Sequence, residues 1–172
     1  SRIFTDLKFY DLLLNCELPT IAAMQGHEIG GGLAFACYAD IIILSRESIY
    51  SANFMKYGFT PGLGATYIIP EKFGNVIGTE MLLCAKTYSG RVLKEMGIPL
   101  QVIERKYVIE RAMEIAKELS DKPLTSLKVL KKHLTQKIRA ALPEIINQEL
   151  ELHRKTFTQE EVKVRVEKLF GK

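Results

Sequence analysis

Ile21 to Asp40 reads IAAMQGHEIGGGLAFACYAD. A short apolar strand runs through a polar turn into three consecutive glycines, Gly30 to Gly32, and these open an apolar helix. Glycines at a strand-to-helix turn let the backbone approach a ligand closely. The first helical turn carries N–H groups with no partner inside the helix, and the helix dipole favours negative charge there. A phosphate or a developing oxyanion suits such a turn. A G-x-G-x-x-G dinucleotide turn does not fit. Leu33, Ala34, Phe35 and Ala36 follow the triplet, and no third glycine falls in place.

The neighbouring segments extend this reading. Thr20 to Met24 is a strand, and Gly31 to Tyr38 is a helix apolar all round, hence buried. Asp40 to Leu44, DIIIL, is a strand buried on both faces, and Ser48 to Ser51 is a further strand. Strand, helix and strand in quick succession predict a parallel crossover unit. Upstream, Phe4 to Asn15 has helical spacing, with Leu7, Tyr10, Leu13 and Leu14 on its apolar side. Downstream, Thr60-Pro61-Gly62-Leu63-Gly64 is a turn-rich loop, followed by helices over Gly64 to Ile69 and Asn75 to Ala85. Ser89 caps a short helix ending at Gly97, and Leu100 to Ile103 is a brief strand. The remainder is helical: Tyr107 to Leu119, Pro123 to Ile138, Leu142 to Phe157 and Glu160 to Phe170, with Pro143 in a first turn. The fold class is therefore α/β, with a β/α part over residues 1–105 and a helical part over 106–172.

Composition narrows the function classes. The chain has 172 residues, enough for a real core, and 47% of them are hydrophobic. It has no apolar run of membrane-spanning length and no signal-peptide pattern in SRIFTDLKFYDLLLN. Cys16, Cys37 and Cys84 show no metal spacing, so no metal site is expected, and they fit buried free thiols in a reducing cytoplasm. The net charge of +4 is mild. Lysines on the C-terminal helices read as a solvated face with a weak preference for an acidic protein partner, not a nucleic-acid footprint.

The order of strand, QGH-x-x-GGG, apolar helix ending in AD, DIIIL and YGFTPGLGAT resembles the crotonase (enoyl-CoA hydratase/isomerase) superfamily over about Phe4 to Phe170. The resemblance implies a β/α spiral core and C-terminal helices that build a homotrimer or a dimer of trimers. It also implies an acyl-thioester substrate on the phosphopantetheine arm of an acyl carrier protein or coenzyme A, with no other cofactor. Family members are longer, so this chain is expected to begin late, without the first strands and one of two oxyanion amides. QGH, FMKYGFTPGLGAT and QELELHRKTF look like one branch in particular, the decarboxylating enoyl-CoA hydratase-like enzymes of polyketide β-branching cassettes. Their implied reaction converts a 3-methylglutaconyl thioester to a 3-methylcrotonyl thioester and CO2.

The resemblance assigns one oxyanion N–H to Gly31, which opens the helix and has no side chain to block a thioester oxygen. Hydratases of the family carry two glutamates that handle water; those positions map here to Ala34 and Phe54. Neither residue moves a proton, and general acid–base work on water requires a titratable group. An oxyanion hole without carboxylates suits decarboxylation, where loss of CO2 leaves an enolate and only a proton donor is then needed. Ala34 and Phe54 would give the leaving carboxylate a dry wall. The branch's catalytic histidine maps to His153, which lies nearly two helical turns beyond Ile146 on the same stripe. By pattern alone a core histidine fits that stripe as well. The branch's lysine maps less securely, with Lys8 the candidate. Asn53, Phe54 and Tyr57 are expected to line or support the acyl pocket, with Pro61 and Gly62 at its floor. Glu28 reads as a loop or surface residue, Lys56 and His133 as solvated, and His27 as a structural turn residue. Two rival functions stand beside decarboxylation: a hydratase or isomerase with relocated catalytic groups, and a catalytically idle carrier-protein docking subunit.

Overall fold

The computed structural model describes residues 11–170. Among these, α1 (Leu12–Asn15) leads into β1 (Ile21–Met24), β2 (Glu28–Ile29), α2 (Gly31–Ala36), β3 (Ile41–Ser45) and β4 (Ile49–Ser51). A 3-10 turn (Asn53–Lys56) precedes α3 (Ala65–Phe73), α4 (Asn75–Cys84), β5 (Tyr88–Ser89), α5 (Gly90–Glu95) and β6 (Gln101–Ile103). Four helices close the chain: α6 (Val108–Ser120), α7 (Leu124–Leu134), α8 (Gln136–Phe157) and α9 (Glu160–Phe170). Most of the expected helix over Phe4 to Asn15, including Lys8, lies outside the described residues.

Two three-stranded sheets organise the first part. One has the order β1-β3-β6, all parallel, with Ile21 opposite Ile41 and Ile43 opposite Gln101. The crossover read from the sequence is therefore present, and α2 is its connection. Ile42 and Leu44 of β3 enter the main core, while Ile43 faces Val108 and Ala112 of α6 on the opposite side. DIIIL is thus buried on both faces, which explains its unbroken apolar run. The second sheet has the order β2-β4-β5, of which the sequence pattern indicates only β4. Strands of two residues, such as β2 and β5, leave no period to read and exist through their pairing with β4.

The C-terminal helices differ from expectation in one respect. The break falls at Thr135, and α8 runs unbroken through Pro143. An interior proline removes one helical hydrogen bond and costs about 3 kcal/mol. Leu142 and Ile146, both in the main core, offset that cost by about 1.5–3 kcal/mol each. Likewise α3 continues through Pro70 to Phe73, because Ile68, Ile69 and Phe73 are all buried. Ser89 caps α5 as expected, accepting from the Val92 N–H at 3.3 Å.

One lysine contradicts the solvated-face reading. Lys131 on α7 is 4% exposed, and its Nζ lies 2.8 Å from Asp40 Oδ2. It also donates to the Leu13 and Leu18 carbonyls at 3.0 and 2.8 Å. Asp40 in turn accepts from the Thr20 N–H and hydroxyl. One ammonium therefore ties α7 to the segment entering β1 and to the end of the crossover.

Candidate active site

The glycine turn is held from two sides. Gly30 sits at φ 58°, a left-handed conformation that favours glycine, and its N–H donates to the Ser51 carbonyl at 2.8 Å. A Cβ at Gly30 would stand 2.8 Å from Asn53 Oδ1, and one at Gly31 would stand 2.9 Å from Leu63 Cδ1. Helix geometry leaves the Gly31 N–H without an intrahelical acceptor. The triplet thus lies close against side chains of the 3-10 turn and of the 60–64 loop, which would have to shift to admit a Cβ.

The 60–64 loop links this turn to α8. The Tyr38 hydroxyl donates to the Leu63 carbonyl at 2.8 Å. Gly64 follows at φ 70°, and a Cβ there would collide with the Tyr38 hydroxyl. The Gly64 N–H donates to Glu149 Oε2 at 2.6 Å. Glu149 Oε1 accepts from the Thr66 N–H at 2.9 Å and the Thr66 hydroxyl at 2.6 Å. At the other end of the loop, the Thr60 carbonyl faces His153 Nδ1 at 3.2 Å. A carbonyl only accepts, so Nδ1 carries a proton and Nε2 is left for other partners. The Thr60 N–H donates to Thr156 Oγ1 at 3.2 Å, one turn further along α8.

An aromatic cluster surrounds His153. Its ring stacks on Phe157 at 4.8 Å and meets the edge of Phe59 at 5.5 Å. Phe59 in turn stacks on Tyr57 at 6.0 Å and packs edge-on to Phe54 at 6.3 Å. Beside it lies a groove of about 660 Å³, lined by Met55, Thr60, Pro61, Tyr67, Leu83 and Leu152 among others. Thr60 and Pro61 are common to the groove and to the loop that carries the histidine contact.

Most of the expected site residues therefore form one chain of contacts. Gly31 touches the Leu63 side of the loop, and Asn53 abuts Gly30 while its amide reaches the Tyr57 hydroxyl at 3.5 Å. Phe54 and Tyr57 join through Phe59 to His153. Pro61 is buried and lines the groove; Gly62 has open space where a Cβ would project. Ala34 is fully buried within α2, and its N–H donates back to Gly30. Lys8 lies outside the described residues. His27 is structural, as expected: its Nδ1 accepts from the Ile49 N–H at 3.0 Å. Lys56 and His133 are exposed.

The structure corrects the reading of one carboxylate, Glu28, and adds another, Glu149. Glu28 is not on a loop but on β2, half-buried, with Oε2 3.3 Å from where a Cβ on Gly32 would sit. Burial raises its pKa. Glu149 is 3% exposed, and its carboxyl is also raised by burial, against the lowering pull of the Thr66 and Gly64 donors and of His153. Its sequence signal was a glutamate set into the apolar stripe of Leu142, Ile146 and His153. Among the described residues no group of three His, Cys, Asp or Glu side chains is placed to hold a metal ion.

The chain is similar to known proteins over nearly its whole length. The profile of the family described as Enoyl-CoA hydratase/isomerase matches residues 3–170. The chain belongs to that family, and its fold is the crotonase fold. It is 54% identical over 168 residues to the bacillaene synthase decarboxylase PksI of Bacillus subtilis, covering 98% of this chain and 68% of that protein. A solved dehydratase/decarboxylase enzyme couple involved in polyketide β-branching includes a chain with 53% identity and a TM-score of 0.93. That match covers 98% of this chain and 70% of the solved one. The ECH2 decarboxylase domain of CurF from Lyngbya majuscula is 44% identical with a TM-score of 0.91, over 93% of this chain and 66% of that one. The chain thus spans about two thirds of the length of these relatives. Similarity at this level to named decarboxylases makes it a carbon–carbon lyase of the crotonase superfamily.

Proposed function

We propose that the protein decarboxylates a 3-methylglutaconyl-type thioester carried on an acyl carrier protein, giving the 3-methylcrotonyl-type thioester in polyketide β-branching. The observation that carries this reading is the joining of a glycine turn to His153 through one loop; the resemblance adds that the hydratase carboxylate positions map to Ala34 and Phe54, which move no proton. The Gly31 N–H would hold the thioester oxygen as the bond to the carboxylate breaks and its electron pair enters the dienolate. CO2 leaves, and an imidazolium at His153 would return a proton from Nε2 to the terminal carbon, since Nδ1 faces Thr60. Solvent then reprotonates the imidazole, so the cycle closes without a cofactor beyond the substrate's own arm.

Several further features belong to the same reading. Exposed apolar side chains on α6 and α7, including Met113, Val129, Leu130 and Leu134, support assembly into trimers or dimers of trimers. A cytoplasmic location and a weak preference of the mildly basic chain for an acidic protein partner belong to the same reading. No helix among the described residues is long and apolar enough to cross a membrane. A second reading, thioester hydration with a relocated carboxylate, draws on Glu28, whose half-buried carboxyl lies against the glycine turn.

Intact-mass analysis of a 3-methylglutaconyl-loaded carrier protein, incubated with the protein, decides between them. Loss of CO2, slowed about 10²- to 10⁴-fold in His153→Ala, is the expected result. No loss of CO2, with gain of water on an enoyl-loaded carrier that Glu28→Gln abolishes, would replace decarboxylation by hydration.

A further inference from the structure

The geometry points to Glu149 as a positioning residue that sets the 60–64 loop, and through it the orientation and tautomer of His153 relative to the glycine turn. This rests on the decarboxylase reading for its chemical consequence, but not for its structural content.

Glu149 is unusual among the described carboxylates. It is 3% exposed, and its contacts are neutral donors: the Gly64 N–H, the Thr66 N–H and the Thr66 hydroxyl. A buried carboxylate is costly to desolvate, and here its well-aimed donors and the electrostatic pull of His153 offset part of that cost. Those donors lie at the start of α3, where unpaired N–H groups and the helix dipole favour negative charge. Glu149 therefore caps α3 from a helix more than eighty residues away in sequence. The capped segment ends the same loop whose Leu63 packs under Gly31 and whose Thr60 carbonyl fixes His153 Nδ1. His153 stands one turn beyond Glu149 on α8. Helix α8 thus grips the loop at both ends, by Glu149 at Gly64 and by His153 and Thr156 at Thr60. Glutamine at 149 has nearly the same volume. Its amide nitrogen, however, meets an N–H where the carboxylate oxygen accepts, so one loop end is released.

The test pairs turnover with a probe of the histidine. In Glu149→Gln with unchanged circular dichroism and oligomeric state, kcat for decarboxylation should fall about ten- to hundred-fold, with KM changed much less. Nitrogen-15 NMR of the His153 imidazole, which needs no substrate, should change from a fixed Nδ1–H form to an average of both tautomers. Thr66→Val, which removes one donor of three, should lower kcat less and serves if Glu149→Gln does not fold. An unaltered His153 spectrum in the variants overturns the proposal, whatever happens to turnover. If the spectrum changes while the unsubstituted protein shows no decarboxylation, the positioning role stands and the decarboxylase reading falls.

Discussion

Two buried charges tie the C-terminal helices to the sheet-bearing part, and they do so differently. Lys131 of α7 meets an opposite charge, Asp40, and two carbonyls that end nearby segments. Glu149 of α8 meets only N–H and O–H groups, all in the loop and helix start that face His153 and the glycine turn. The first arrangement is self-compensating and lies where only the fold depends on it. The second leaves a carboxylate hydrogen-bonded only by neutral donors, which costs more to bury and returns a set orientation for the loop between His153 and the glycine turn. Lys131 is a fastening of the fold, and Glu149 a fastening of the site.

The sharpest way to break that distinction is to remove the lysine. Lys131→Met strands a partly buried Asp40 and should cost about 3 kcal/mol or more in denaturant unfolding, with turnover of the remaining folded protein near normal. Unchanged stability would show that the ion pair fastens nothing. Glu149→Gln should show the reverse balance, a smaller stability loss of about 1–2 kcal/mol beside its larger loss of kcat. Gly31→Ala presses a methyl against Leu63, which is flexible at its tip, so unfolding should move by about 1 kcal/mol while activity falls much further. The smallest effect concerns the thiols. Cys37 is fully buried and its pKa is pushed up to about 12 by that burial, while Cys16 and Cys84 are exposed. A thiol reagent at neutral pH should label Cys16 and Cys84 at once and Cys37 only on unfolding. Prompt labelling of Cys37 would mean that the β1–α2–β3 core opens more readily than its packing implies.

The same comparison explains what the sequence made legible. The crossover was readable because each part carries its own local signal: an apolar strand, a glycine triplet, and an apolar run in DIIIL buried on both faces. The ends of the site, Gly31 and His153, came from a family resemblance, since a histidine on an apolar stripe fits a core as well as a site. What joins them was invisible. Glu149 lies on the apolar stripe of α8, which signals burial, but its partners Gly64 and Thr66 are far away in sequence and no local pattern names them. Lys131 was misread for the same reason: no local pattern separates a solvated lysine from one whose acceptors come from three distant segments. Pro143 misled because proline commonly opens helices, whereas here the buried Leu142 and Ile146 hold α8 straight through it.

The proposed loss of CO2 needs no carboxylate base, and the Gly31 amide and His153 are the groups of this chain proposed to carry it. Intact mass of a 3-methylglutaconyl-loaded carrier protein in deuterated water, with the unsubstituted protein and with His153→Ala, is the decisive measurement. Loss of CO2 with uptake of one deuteron is expected in the first and a strongly slowed reaction in the second. Equal rates in both would remove His153 from the chemistry, and retention of the carboxylate by the unsubstituted protein would contradict the account itself.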